Sequence, residues 1–282
     1  MTTTEYRPAT AEVSPARRAG ALPVTQRRVL LSEWTKLRTL RSTVYSLLAA
    51  VLLTAGLGIA ISAARAGHWA QEDPRERLFF DPTLTSLSGG YLAQLAIGVL
   101  GVLLVTGEYA TGSIRSTFAA VPRRLPVLWA KAAVYALTAF VLMGITAVVA
   151  FLGGQAMLSS KHIQTSFSHP GVARAVLGAA LYLTVVGLLG LALGALIRNT
   201  AGAIAALFGL LLVLPLIVHF LPSSWSDAIS KYLPSNAGQS VMQVVRDPMS
   251  SSLAPWTGFA VFCGYALVAL VAAAVVVKRR DA

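Results

Sequence analysis

Six apolar runs dominate the chain, each bounded by charged or turn-forming residues. They cover residues 44–64, 89–106, 127–151, 175–197, 201–221 and 256–277. Each is close to the roughly 20 residues a helix needs to cross the hydrocarbon of a bilayer. The runs are continuous, whereas the strands of a membrane barrel alternate weakly. A helix also satisfies its own backbone groups where no water can do so. The pattern predicts an all-α integral membrane protein with six transmembrane helices.

Ahead of the first run, residues 26–42 read QRRVLLSEWTKLRTLRS. Leu30, Trp34 and Leu37 recur at helical spacing, flanked by Leu31 and Leu40, with Arg28, Thr35 and Lys36 turned away. This predicts an interfacial helix, Trp34 at headgroup depth and Arg28, Lys36 and Arg38 toward phosphates. Glu33 and Lys36 stand at i,i+3, a spacing at which they can pair. An ordinary basic flank anchoring the first run is the plainer alternative. Residues 1–25 are rich in Thr, Ala, Pro and Arg, as expected of a disordered tail. The first apolar run is full length and starts beyond residue 40, unlike the short core of a signal peptide.

Charge fixes the expected orientation. Only 12% of residues are charged, against about 25% in soluble domains. With the N-terminus inside, 16 of the 23 basic residues fall in cytoplasmic pieces. The outer pieces hold Arg65, Arg75, Arg77, Lys161, Arg174, Lys231 and Arg246. This bias puts both termini in the cytoplasm. Six outer acids nearly cancel the outer bases, so about +11 of the net +12 faces the anionic inner leaflet, and no nucleic-acid partner is required.

Between the second and third runs lies GEYATGSIRSTFAAVPRR, residues 107–124. Gly107 is expected to end the second span. Glu108 sits at the water boundary, or faces the bundle and needs a partner such as Arg115. Gly112 permits a turn, and Ser113 is placed to cap a short helix from Ile114 to Pro122. Ile114, Phe118 and Val121 share a face of it. Such a helix either docks a partner or closes a simple hairpin loop, with Arg123 and Arg124 as anchors.

Several classes of chemistry find no support. There is no G-x-x-x-x-G-K-[ST] phosphate cradle, no H-E-x-x-H pair and no G-x-S-x-G elbow. Cys263 is the lone cysteine, and none of the four histidines forms a metal motif. No catalytic, cofactor-binding or metal site is expected. Ionisable residues are missing from mid-span, which disfavours ion-coupled transport. Gln94, Thr138, Thr146, Tyr182 and Thr184 are uncharged polar groups within spans. They either line a pathway or bond between helices. Gly190 and Gly194, one turn after Gly187, permit close helix packing. Pro215 is expected to loosen the fifth span. Residues 222–255 exceed a plain hairpin, and SSWSDAISKYL within them predicts a helix capped by Ser223 or Ser224. The segment forms either a partly embedded lid or an ordinary outer loop.

Four stretches in order carry a resemblance. SEWTKLRTLRST (32–43), GEYATGSIRSTF (107–118), LGALIRNTAGAIAAL (193–207) and YLPSNAG (232–238) resemble permeases of type-2 ATP-binding-cassette (ABC) transporters, drug and antibiotic exporters of bacteria among them. The resemblance extends over residues 26–282. It implies an elbow helix over 26–42, with Arg28, Glu33, Trp34, Lys36 and Arg38 at the interface, and a six-helix permease domain over 43–282. It implies a coupling loop over 107–126, in which Glu108, Tyr109, Gly112, Ser113, Ile114, Arg115 and Phe118 meet an ABC ATPase subunit. It also implies a re-entrant-like outer segment over 222–255. Ala110 stands where many relatives carry a polar residue. ATP and Mg2+ would bind the ATPase, and a second permease subunit, most simply an identical copy, would complete the pathway in the bacterial cell membrane. The reading that follows is an exporter permease for an amphipathic or apolar cargo such as a drug, peptide or lipid. A non-transporting sensor or scaffold with the same fold is the alternative.

Overall fold

The computed structural model describes residues 25–113, 124–245 and 252–279. The tail expected to be disordered lies outside them, apart from Thr25. So do Ile114, Arg115, Phe118 and Val121 of the loop.

Six helices are long and apolar enough to cross a membrane: Arg41–Gln71, Gly90–Ala110, Leu125–Lys161, Val172–Ile197, Thr200–His219 and Pro255–Arg279. No strand occurs among the described residues. The protein is an all-α, multi-pass membrane protein, as the apolar runs predict. The helices are longer than most of those runs. The second continues through Gly107 to Ala110, so Gly107 does not end it, and the third extends to Lys161. Hydrophobicity marks where lipid begins, whereas backbone hydrogen bonding carries a helix on into the polar zone.

Burial separates core from periphery. The fourth span is 67% buried and the second 61%, while the other four lie between 22% and 33%. The fourth is therefore the central post. Its tight seam with the second is built from glycines. A Cβ on Gly101 would land on the Gly187 carbonyl, and one on Gly190 on the Gly98 carbonyl. A Cβ on Gly194 would lie 2.9 Å from Val102 O. Gly187 also makes room for Tyr135 of the third span, whose hydroxyl donates to Ile97 O at 3.1 Å. Without a hydrophobic force between helices in lipid, such backbone approach is what holds spans together.

Two spans contain a π-helical turn, at Leu52–Leu57 in the first and Gly209–Val213 in the fifth. The second of these directly precedes Leu214–Pro215. The proline removes one amide donor, so the turn before it loosens, as the sequence led one to expect.

Short helices close the end of the bundle where the first span meets the second. Asp81 starts helix Pro82–Leu87, its Oδ1 accepting from Thr83 N and Leu84 N. Its Oδ2 accepts from Val244 N at 2.7 Å and Val245 N at 3.0 Å. One carboxylate thus ties residues 81–87 to the segment before the sixth span. That segment contains helices Ser223–Ser230 and Pro234–Gln239. The cap position of the first is Pro222, not the expected Ser223 or Ser224, and no side chain caps it. Pro234, Ala237 and Gly238 of the second are buried. A Cβ on Gly238 would press on Tyr182 and Phe262.

Candidate functional site

At the opposite end, helix Gln26–Thr39 packs against the start of the third span. Val29, Glu33 and Leu37 form its buried face, and Val29 meets Val127 and Ala130. Leu40 adopts an extended conformation and turns the chain into the first span. Leu30, Leu31, Trp34 and Leu40 are exposed, and Arg38 lies over the Trp34 ring at 5.9 Å. The helix therefore has two faces of use. The exposed stripe suits lipid, and the inward face carries a glutamate. Lys36 does not turn away from the bundle as its spacing suggested. It is half-buried and faces inward, because two carboxylates lie there.

Four charges from three elements meet at that face. Lys131 Nζ is 2.6 Å from Glu33 Oε2 and 2.9 Å from Glu108 Oε1. Lys36 Nζ is 2.9 Å from Glu33 Oε1 and 2.8 Å from Glu108 Oε1. The i,i+3 pair of Glu33 and Lys36 is thus present, as one edge of a larger ring. Glu108 faces the bundle, and its partners are Lys36 and Lys131. Arg115, the partner expected from sequence, lies outside the described residues. Lys131 reads in the sequence as a flank of the third span, but only 6% of its side chain is exposed. Two positive and two negative groups cancel. This is what allows them so deep, since an unpaired buried charge costs several kcal/mol. Burial pulls the Lys36 pKa down, but hydrogen bonds and charge from Glu108 and Glu33 outweigh it and hold it above the ordinary lysine value.

The other two motifs of the bundle lie close by or brace it. Arg198 ends the fourth span in the left-handed region, φ 57°, with its guanidinium over the Tyr109 ring at 5.1 Å. Asn199 then caps the fifth span, its Oδ1 accepting from Gly202 N at 2.8 Å. An asparagine just ahead of an apolar run is a cap signal legible in the sequence. Gly112 takes φ 70°, in keeping with the turn expected there. Ser113 lies beside Thr111, their hydroxyls 3.0 Å apart.

The five uncharged polar residues singled out in the spans are each engaged within the chain. Thr138, Thr146 and Thr184 donate to the carbonyls of Val134, Leu142 and Ala180, one turn back. The Tyr182 hydroxyl donates to Gln94 Oε1 and accepts from Gln239 Nε2 at 3.3 Å. Gln94 and Tyr182 are buried between the second and fourth spans. Among the described residues no cluster of His, Cys, Asp and Glu has a geometry that could hold a metal ion.

The family model described as ABC-2 family transporter protein matches residues 70–282. The chain belongs to this family. It is the permease component of an ABC transporter, and membership implies association with an ABC ATPase and with the membrane. No curated relative matches the chain. The match includes the GEYATGSIRSTF, LGALIRNTAG and YLPSNAG motifs. It begins after SEWTKLRTLRST, so the elbow-like helix joins the family's domain through the ion pairs of Glu33 and Lys36.

Proposed function

We propose that this permease works as one half of an ATP-driven exporter. Two copies flank the pathway, each bound to an ATPase subunit that holds the ATP and Mg2+. Both termini lie in the cytoplasm of a bacterial cell, and the cargo is amphipathic or apolar. The absence of fixed charge at mid-span favours such a cargo over a small ion.

One observation carries the coupling step. Glu108, at the end of the second span where the loop 107–126 departs, is bonded through Lys36 and Lys131 to the N-terminal helix and the third span. Force applied by an ATPase to that loop reaches three elements at once, because the four groups are held as a unit. The central glycine seam then passes it from the second span to the fourth. The interfacial helix acts as the elbow, sliding along the membrane surface with its Trp34 stripe in lipid.

The experiment is co-purification with an ABC ATPase subunit, followed by permease-stimulated ATP hydrolysis in proteoliposomes. Glu108→Gln and Arg115→Ala are expected to lower the stimulation while leaving assembly in the membrane intact. Full stimulation in both variants would remove the coupling role of the loop. Accumulation of an amphipathic dye in cells lacking the protein tests the direction of transport, and unchanged dye levels would leave the exporter reading without support.

A further inference from the structure

A cavity of about 410 Å3 opens between the N-terminal helix and the second and third spans, against the four-charge cluster. Its size falls among small-molecule sites, which run about 300–1,000 Å3. Glu33, Lys36, Glu108 and Lys131 form its polar floor, and leucines such as Leu37 and Leu103 line its walls.

The hydrogen bonds of the floor do not close. Both oxygens of Glu33 accept from lysines, and Glu108 Oε1 accepts from two. Glu108 Oε2 is shut from water and has no hydrogen-bond partner. A buried carboxylate oxygen left so is costly, and its natural complement is a donor that carries positive charge. Lys36 is bonded to two carboxylates and has three N–H groups, and a third of its side chain is exposed at the rim. The site thus offers an unsatisfied anionic acceptor just beneath its surface, a cationic donor beside it and aliphatic walls above.

We infer that this cavity binds the headgroup of a phospholipid that carries a primary amine. The ammonium donates to Glu108 Oε2, the phosphate accepts from Lys36, and the first methylenes of the acyl chains lie along the leucines. Glutamate's last torsion is broad, so a small tilt of the carboxylate opens Oε2 toward the cavity while Oε1 stays with its lysines. Charge selects the zwitterion. The cluster is neutral, and a lone cation or anion would leave it with an uncompensated charge in a nearly dry place, whereas a zwitterion keeps the sum at zero. The amine must be unmethylated, since a trimethylammonium has no N–H to give. Phospholipid is the source because the spans stand in it.

Binding is read on the permease alone, apart from any ATPase. Full-length protein in nanodiscs of phosphatidylcholine is titrated with phosphatidylethanolamine and followed by thermal unfolding and native mass spectrometry. Retention of the ethanolamine lipid is expected to be roughly tenfold stronger, the worth of one charge-assisted hydrogen bond. Glu108→Gln should abolish the preference. Leu40→Trp, at the rim of the cavity, leaves the ion pairs in place and should reduce binding of that lipid by a similar factor. Equal retention of the two lipids overturns the site, as does a folded Glu108→Gln protein that keeps the preference. Should Glu108→Gln fail to fold, undiminished binding in Leu40→Trp overturns it. Dodecylamine added to phosphatidylcholine nanodiscs separates the sources. Weak binding is expected, and displacement of the lipid at equal affinity would overturn the phospholipid assignment in favour of a simple amine.

Discussion

Lys131 Nζ stands 2.6 Å from Glu33 Oε2, joining a residue of the third span to one 98 positions earlier in the N-terminal helix. Both side chains are almost fully buried, at 6% and 4% exposure. Removing one partner leaves the other as an uncompensated charge. Lys131→Met is expected to destabilise the protein by about 3–5 kcal/mol. The double variant Glu33→Gln/Lys131→Met should lose clearly less than the two single losses together. Unfolding of all three in detergent measures the coupling, and simple additivity would show that the pair does not interact.

Lys36 gives this cluster a pH limit. Its folded pKa is raised above the ordinary 10.5, so the stabilisation from its protonated form is complete below 10.5 and disappears as pH rises through the folded value. The melting temperature is expected to be insensitive to this group at neutral pH and to fall in strong alkali. Lys36→Arg, which stays charged throughout, should remove that part of the fall. Parallel melting curves for the two proteins across the alkaline range would contradict it.

The glycine seam predicts a sharp contrast between glycines. Gly101→Ala drives a methyl into the backbone of the fourth span and is expected to cost about 1–3 kcal/mol. Gly264→Ala, with nothing within 4 Å of the new atom, should be neutral or slightly stabilising. Purification yield and melting temperature of the two variants check this, and equal behaviour would mean that the seam is looser than described.

Asp81 fastens the segment before the sixth span through Val244 N and Val245 N. Asp81→Asn removes the charge and, with its amide group toward these donors, replaces an acceptor by another donor. Each lost bond to a charged acceptor is worth about 1.5–3 kcal/mol. Hydrogen exchange at residues 243–245 is expected to accelerate, while the central fourth span keeps its protection. Unchanged exchange there would show that other contacts hold the segment.

Orientation is tested with single cysteines at residues 75 and 115, after Cys263→Ala. A membrane-impermeant maleimide applied to intact cells should label residue 75 and spare residue 115. Labelling of both would overturn the single crossing between them.

The sequence by itself determined that the chain crosses lipid six times. It also held the resemblance that the family match upholds for residues 70–282, and the loosening at Pro215. These depend on local apolar length, on turn chemistry and on short motifs, all written in consecutive residues. Only the tertiary structure decided which way Lys36 faces, which partners Glu108 takes, and that Lys131 is more than a flank. It also decided that Asp81 spans a gap of more than 160 positions. An ion pair between distant segments leaves no periodicity, because any basic residue at a membrane boundary looks like an anchor. The packing face at Gly187, Gly190 and Gly194 was legible, but its partners, Gly98 and Gly101 of the second span, were not. A small residue is only a permission, and its use depends on which backbone arrives opposite it.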